Sequence, residues 1–192
     1  MNLDPEIAFG IVNEIKKNLL RICITGGEPL LHPQIESFIQ WPEGIPDIAY
    51  VLTTNLTARQ ELDSSLCALG WQVAISLNGA ELAHSNYTGS KTFKKTVNRI
   101  EYLAKHTIVY IYCVLNDYMS FEDIDFLFEL RDQIGVKFLR FQTPRPFGRF
   151  TKLKNTKLID AVRERLDAFS GLKTLPSNTY FLTVNGEMRI SH

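Results

Sequence analysis

Five short apolar runs recur along this chain, and their spacing constrains the fold more than any other feature. They begin near residues 20, 48, 72, 108 and 137, and segments of helical composition separate them. Runs of Ile, Val, Leu and Tyr bounded by turn residues are typical of parallel strands buried on both faces. The alternation therefore predicts an α/β fold with parallel strands, either a closed or partial barrel or an open doubly wound sheet.

The segments between the runs carry helix signals. Asp4-Pro5 is typical of an N-cap followed by proline at the first helical position. One apolar stripe at helical spacing follows, made of Ile7, Ile11, Val12 and Ile15. Further helices are expected at 91–105 and 155–169. Asn185-Gly186, between two alternating segments, predicts a short C-terminal β-hairpin.

Composition and charge exclude several classes of protein. The 192 residues suit one domain, which we divide into a core at 1–150 and a C-terminal helix and hairpin at 151–192. Lys+Arg and Asp+Glu number 21 each, so the chain lacks the basic excess of a nucleic-acid or anionic-membrane binder. It shows neither an apolar stretch of about 18 residues nor a secretory signal, which makes the cytoplasm the expected location.

Three cysteines, Cys23, Cys67 and Cys113, lie far apart and are odd in number. No two of them stand in a C-x2-C or C-x3-C pair, so the spacing predicts neither a disulfide framework nor a local metal or cluster loop. We interpret all three as reduced thiols of the protein interior.

Small and polar residues follow every apolar run, at the point where each strand is expected to end. The five tips are Thr25–Pro29, Thr53–Asn55, Ser76–Gly79, Leu115–Asp117 and Thr143–Arg145. The carboxyl ends of parallel strands meet at one edge of a sheet or barrel, where ligands bind. The tips therefore favour a pocket for a molecule with amine, carboxylate and hydroxyl groups.

The first tip, Gly26-Gly27-Glu28-Pro29, has the most specific chemistry. Two glycines allow a positive φ and a close approach of a ligand to the main chain. Exposed carbonyls and the Glu28 carboxylate would together accept hydrogen bonds from an ammonium group. Pro29 favours an extended conformation for the residue before it, which presents Glu28 at the tip.

In order along the chain, "ITGGEPLLHP", "TTN" and "ISLNG" lie one βα unit apart, and "PFGR" follows the last run. This arrangement resembles the radical S-adenosylmethionine superfamily, and most of all its branch of molybdenum-cofactor and peptide-modifying enzymes. The resemblance covers residues 4–150. It implies a partial (βα)6 barrel that binds S-adenosylmethionine and a 4Fe-4S cluster. Reductive cleavage of S-adenosylmethionine would yield a radical that abstracts hydrogen from a peptide or small molecule.

The resemblance also implies roles for single residues. It assigns the cofactor side to Gly26, Gly27, Glu28, Thr54, Asn55, Ser76 and Thr143. The first three would hold the methionine amino group, and the next two would face the methionine or the substrate. Ser76 would lie near the ribose and carboxylate, and Thr143 near the adenine. On the substrate side the resemblance and the loop composition place Asn116 and Arg145.

Departures from the family pattern limit what this chain is expected to do alone. The family's first strand and its C-x3-C-x2-C cluster loop precede the helix that begins here at Asp4, and neither is found in this sequence. We expect an N-terminal segment or a second chain to supply both, because 20–24 would otherwise be an exposed apolar edge. Asn78 also stands where the family usually has Asp.

Two alternatives remain at this stage. A non-catalytic module that binds S-adenosylmethionine or a peptide would keep the barrel without the cluster. An unrelated barrel enzyme would use Glu28 or Asp117 as a general base, but the sequence offers no matching acid or nucleophile. The four histidines show no metal-ligand spacing, so we assign them surface or structural roles.

Overall fold

Five parallel strands form a single sheet at the centre of the chain. The computed structural model describes residues 3–143, 153–168, 179–182 and 188–191. The strands are β1 (Arg21–Ile24), β2 (Ala49–Thr54), β3 (Gln72–Ser76), β4 (Val109–Val114) and β5 (Phe138–Gln142). Their order in the sheet is their order in the chain, and every neighbouring pair is parallel.

At least one helix connects each strand to the next, and further helices precede β1 and follow β5. They are α1 (Pro5–Ile15), α2 (Ile35–Ile39), α3 (Trp41–Gly44), α4 (Asp63–Ala68), α5 (Glu81–Thr88), α6 (Phe93–His106), α7 (Phe121–Ile134) and α8 (Lys157–Ala168). The predicted α/β fold is confirmed. Because the strand order never reverses, the sheet follows the order of a TIM-like barrel rather than that of a doubly wound sheet.

Local sequence signals account for the helix ends. The Asp4 carboxylate accepts hydrogen bonds from the backbone N–H groups of Glu6 and Ile7, as expected of an N-cap. The predicted stripe of α1 was partly wrong. Ile7 is 66% exposed and Ile11 40% exposed, whereas the buried positions are Pro5, Ala8 and Val12.

The two faces of the sheet differ in burial, which corrects the expectation of strands buried on both faces. Residues that alternate toward the helices are buried, among them Leu52, Val73, Ile75 and Ile111. On the opposite face, most residues are half-buried or exposed. We call this the open face; its half-buried or exposed members are Arg21, Cys23, Ala49, Thr53, Gln72, Ser76, Tyr110, Tyr112, Val114, Phe138, Arg140 and Gln142.

The sheet ends at β1 on one side. Within the described ranges, β1 forms ladder hydrogen bonds with β2 alone. The predicted C-terminal hairpin is confirmed as the antiparallel pair β6 (Thr179–Leu182) and β7 (Met188–Ser191), and β6 lies near β1 without pairing with it. The predicted turn at 185–186 lies outside the described residues. In the described part of the chain, no helix has the length and apolar character needed to cross a bilayer.

Candidate functional site

Glu28 joins the tips of the first two strands. Thr54 Oγ1 donates a hydrogen bond to its Oε1 at 2.6 Å, and the Asn55 N–H donates to its Oε2 at 2.7 Å. The Leu30 N–H donates to Oε1 at 3.0 Å. The predicted extended conformation of Glu28 is confirmed, with φ −139° and ψ 106°. Three of the sequence-predicted site residues, Glu28, Thr54 and Asn55, are thus in contact. A ligand amine would bind a Glu28 carboxylate whose orientation these hydrogen bonds already fix.

Gly26 and Gly27 lie exposed beside this bridge. Neither adopts the positive φ that glycine allows. A Cβ built on either one would meet no atom within 4 Å. The fold itself therefore requires glycine at neither position, and bare backbone here is suited to a molecule that approaches it closely.

A cavity of about 390 Å³ opens at this tip. Its polar end is formed by residues 25–28, and its apolar wall by side chains of α1, β1 and α2, including Val12, Ile22 and Phe38. The cavity runs along the side of β1 that faces away from β2. The polar tip and the free side of β1 are therefore one continuous surface.

The loop after β2 is held by a buried ion pair that the sequence analysis missed. Arg99 is 1% exposed and donates to both carboxylate oxygens of Asp63, at 2.9 and 2.5 Å. The same guanidinium donates to the carbonyls of Leu56 and Ala58, at 2.5 and 2.7 Å. Leu56 adopts a positive φ of 55°, so the loop beside Asn55 has a backbone that side-chain hydrogen bonds hold in place.

The tips of β3 and β4 are joined through Asn78. Its Oδ1 accepts from the Val114 N–H at 2.8 Å, and its own N–H donates to His84 Nδ1 at 3.1 Å. An aspartate oxygen would accept from Val114 equally well, so Asn78 preserves this contact. Ser76 is half-buried on the open face, next to Tyr112 of β4.

His84 is 3% exposed, and burial lowers the pKa of its imidazole. Unfolded chains protonate a histidine near pH 6.5, whereas the folded protein takes up that proton only at lower pH. We therefore expect the free energy of unfolding to fall as pH drops below about 6.5, by up to about 1.4 kcal/mol at pH 5.5. Urea unfolding at pH 7.5, 6.5 and 5.5 measures this change in the free energy of unfolding. His84→Gln should flatten this part of the profile, and an unchanged profile in that variant would contradict the assignment to His84.

Gly79, between β3 and α5, requires glycine for two reasons. Its φ is +95°, and an added Cβ would lie 2.9 Å from Ala83 Cβ and 3.0 Å from Asp123 Oδ1. That oxygen accepts from the Ala80 N–H at 2.7 Å, and Asp123 Oδ2 accepts from the Ser120 N–H at 2.8 Å in the capping box of α7.

We expect Gly79→Ala to lower the free energy of unfolding by about 2–3 kcal/mol, from backbone strain and crowding together. Gly89→Ala is the matched control, since Gly89 also has a positive φ of +70° but open space around it. It should cost only about 1 kcal/mol. Equal losses in urea unfolding would show that crowding at Asp123 contributes nothing.

The remaining predicted residues are less well placed. Asn116 is 4% exposed, and its amide is engaged with the Val114 carbonyl and the Tyr118 N–H of its own turn. Thr143 is exposed at the end of β5, and Arg145 lies outside the described residues. Asp117 Oδ1 accepts from the N–H groups of Lys154 and Asn155, which makes it a cap for the segment before α8.

Cysteines offer no cluster site in the described part of the chain. Burial raises the pKa of the thiols of Cys23, Cys67 and Cys113, which favours the protonated form over the thiolate that binds metal. No group of three His, Cys, Asp or Glu side chains among the described residues is arranged to hold a metal ion. The residues present therefore fit an amino-acid-like ligand at the tips and do not fit an iron–sulfur cluster.

No family model matches the chain, and no curated protein matches it. Solved structures do share its fold. SuiB from Streptococcus suis superposes with a TM-score of 0.75 and 18% identity, over 93% of this chain and 42% of SuiB. SuiB has also been solved bound to S-adenosylmethionine and bound to precursor peptide SuiA.

Two further structures are similar. Native anSMEcpe with bound AdoMet gives a TM-score of 0.66 and 18% identity, over 87% of this chain and 51% of that protein. A domain of pyruvate-formate lyase-activating enzyme from Bacteroides vulgatus ATCC 8482 gives a TM-score of 0.60 and 18% identity, over 76% of this chain and 92% of that domain. These neighbours are radical S-adenosylmethionine enzymes. At such identities the likeness shows a shared fold, and this chain spans about half or less of SuiB and anSMEcpe.

Proposed function

We propose that this chain forms the S-adenosylmethionine-binding part of a radical S-adenosylmethionine enzyme that acts on a peptide or small molecule. The observation that carries the proposal is the first tip. Two glycines that the fold does not require lie beside a carboxylate already fixed by two residues of the neighbouring tip. Structures with the same fold, SuiB and anSMEcpe, have been solved with S-adenosylmethionine bound.

The proposed roles follow the positions of the tips. Gly26, Gly27 and Glu28 would bind the methionine amino group through backbone carbonyls and the carboxylate. Asn55 would face the methionine or the substrate. Its N–H bonds to Glu28, and its Oδ1 accepts from the N–H and the hydroxyl of Thr57. The other proposed contacts are Thr54, Ser76 and Thr143 on the cofactor side and Asn116 and Arg145 on the substrate side.

S-adenosylmethionine supplies, in this class of enzyme, the carbon radical that removes a hydrogen atom from the substrate. This chain's own residues would bind and orient the cofactor. No described group of thiols fits the cluster that such chemistry uses, so we assign no redox step to the described residues. Catalysis would then depend on ligands from elsewhere.

We further propose that a β-strand from an N-terminal segment or a second chain pairs with β1. Leu20, beside the strand, is 77% exposed, and Ile7 and Ile11 of α1 expose apolar surface. The cavity of about 390 Å³ runs along the same side and is lined mainly by apolar side chains. Ladder groups that no described strand pairs with, next to apolar surface, are suited to strand addition. β6, which lies near β1, would have to leave room for that strand.

A second candidate function is a non-catalytic module that binds S-adenosylmethionine or a peptide. The raised pKa of the three thiols, due to burial, favours it, because these cysteines are poor candidates for cluster ligands. Anaerobic iron–sulfur reconstitution of the chain tests this point. We expect no stable visible absorption, and a stable cluster spectrum would show that our interpretation of the cysteines is wrong.

Isothermal titration calorimetry with S-adenosylmethionine tests the proposed function directly. We expect binding with a dissociation constant in the micromolar range, roughly −8 kcal/mol, for the full chain without iron. Glu28→Gln should weaken it, because the variant places an amide where an anionic acceptor is needed. The absence of any binding heat, in a chain shown to be folded by circular dichroism, would refute the proposal.

A further inference from the structure

The cavity beside β1 carries opposite charges at its two ends. Among the described residues that line it, Arg21 is the one Lys or Arg and Glu28 is the one Asp or Glu. Arg21 begins β1, whereas Glu28 belongs to the tip that follows the end of the strand. Apolar side chains line most of the cavity between these two residues. The free side of β1 is therefore an apolar strip that starts positive and ends negative.

Arg21 forms no ion pair within the described part of the chain. The ion pairs found there involve Arg59, Arg99 and Arg131. The Arg21 side chain is half-buried. A guanidinium that is partly removed from water favours an anion that accepts two hydrogen bonds from it. Its place on the strip therefore suits a carboxylate that comes from another molecule.

The tips lack a cation for the acid group of an amino-acid-like ligand. Glu28 and the bare backbone of Gly26 and Gly27 offer acceptors to a ligand ammonium. The carboxylate of the same ligand is attached to the same carbon, and a guanidinium matches it best. The described tip positions, which are 25–29, 53–55, 76–79, 115–117 and 143, include no Lys or Arg. A guanidinium that reaches the first tip would complete the recognition of such a ligand.

We infer that two copies of this chain pair antiparallel through β1 and that the partner's Arg21 binds the ligand carboxylate at the first tip. The inference rests on the proposed function, and it identifies the second chain that pairs with β1 as a second copy. A two-fold axis beside an edge strand reverses the strand direction across the interface. The positive start of one strip then meets the negative end of the other. Parallel pairing would instead place like charges opposite each other, which is destabilising.

The lengths of the elements allow this contact. Full overlap of two β1 strands of 4 residues each places the partner's Arg21 opposite Ile24. The next two positions along the chain, Thr25 and Gly26, extend over about 7 Å. An extended arginine side chain covers that distance. The guanidinium then lies beside the bare backbone of the first tip.

Exposed apolar surface favours the same pairing. Ile11 and Leu31 line the cavity and are 40% and 70% exposed, and Leu20, directly before the strand, is 77% exposed. A second copy on this side of β1 would cover these side chains and satisfy the ladder groups that no described strand pairs with. β6, which lies near β1 without pairing with it, would have to leave room.

Mixing two variants tests the inference with the full chain. Arg21→Gln and Glu28→Gln each remove one charge of the site, so each alone should bind S-adenosylmethionine at least tenfold more weakly in calorimetry. In a heterodimer of the two variants, the Glu28 of one copy meets the Arg21 of the other. Random pairing makes about half of the dimers mixed, and each mixed dimer has one intact site. An equimolar mixture should therefore regain the affinity of the unaltered chain at about a quarter of its sites.

Two further variants locate the interface. Sedimentation velocity should show a dimer for the unaltered chain at micromolar concentration. Leu20→Asp should be monomeric, because it places a carboxylate toward the acidic end of the partner's strip. Arg140→Gln is the matched control, since it removes an exposed arginine of β5 that does not line the cavity. It should leave both the dimer and S-adenosylmethionine binding unchanged.

Each of three results would overturn the inference. They are a monomeric chain that binds S-adenosylmethionine, a dimer that persists in Leu20→Asp, and a mixture of the two variants that regains no binding. The first of these leaves the proposed function standing. A dimer that Leu20→Asp dissociates but that binds no S-adenosylmethionine would refute the proposed function and the ligand role of Arg21, whereas the antiparallel pairing would stand.

Discussion

Replacing Arg99 with methionine should lower the free energy of unfolding by about 3–5 kcal/mol. The substitution leaves Asp63, whose side chain is 6% exposed, as a charge without its partner. It also removes the donors to the carbonyls of Leu56 and Ala58. Such a loss is a large fraction of the stability of a domain of this size. Urea unfolding followed by tryptophan fluorescence measures it, because Trp41 and Trp71 are both buried.

Two further variants separate the causes. Lys95→Met changes an exposed residue one turn earlier on the same helix and should alter stability by no more than about 0.5 kcal/mol. Adding Asp63→Leu to Arg99→Met should restore part of the loss, since no buried charge then lacks a partner. A loss below about 1 kcal/mol for Arg99→Met alone would show that the loop after β2 does not depend on this pair.

Replacing both tip glycines, Gly26 and Gly27, with alanine should separate stability from binding. The free energy of unfolding should stay the same or rise by up to about 1 kcal/mol, because alanine restricts the unfolded chain and meets no folded neighbour. Affinity for S-adenosylmethionine should fall about tenfold or more, because two methyl groups then occupy the path by which the ligand meets the backbone. Calorimetry and urea unfolding on the same samples measure both effects.

Gly10→Ala is the matched control for this double variant. Gly10 lies in α1, and a Cβ built there also meets no atom within 4 Å. It should leave S-adenosylmethionine binding unchanged. Unchanged affinity in the Gly26 and Gly27 variant, in a chain that binds the cofactor, would mean that the ligand does not approach this backbone, and the residue assignment at the first tip would be wrong.

Much of the candidate site was predictable from the sequence because local rules govern it. Pro29 restricts the residue before it, and Glu28 is extended as predicted. Parallel strands bring their carboxyl ends together, and the Glu28, Thr54 and Asn55 groups are in contact. The tip glycines do not adopt a positive φ, because glycine permits that conformation without requiring it.

Other parts of the site depend on long-range contacts that no local pattern reveals. Arg99 and Asp63 are 36 positions apart, and only the packing of α6 against α4 makes them a buried pair. The resemblance assigns Asn116 to the substrate side, and in the fold its amide bonds to its own turn. An amide side chain at the end of a strand can bond to nearby backbone groups or to a ligand, and it uses the same atoms for both. The sequence does not distinguish these two roles.

The sequence by itself determined the βα alternation, the parallel sheet and the chemistry of the first tip, because apolar runs, turn residues and proline act over a few positions. Only the tertiary structure decided which face of the sheet the helices cover. Alternation assigns residues to two faces without saying which one is packed. Once the helices cover one face, Arg21, Tyr112 and Arg140 lie on the opposite face and stay half-buried or exposed. Burial is a property of the whole fold, so which of the two faces stays open follows from packing.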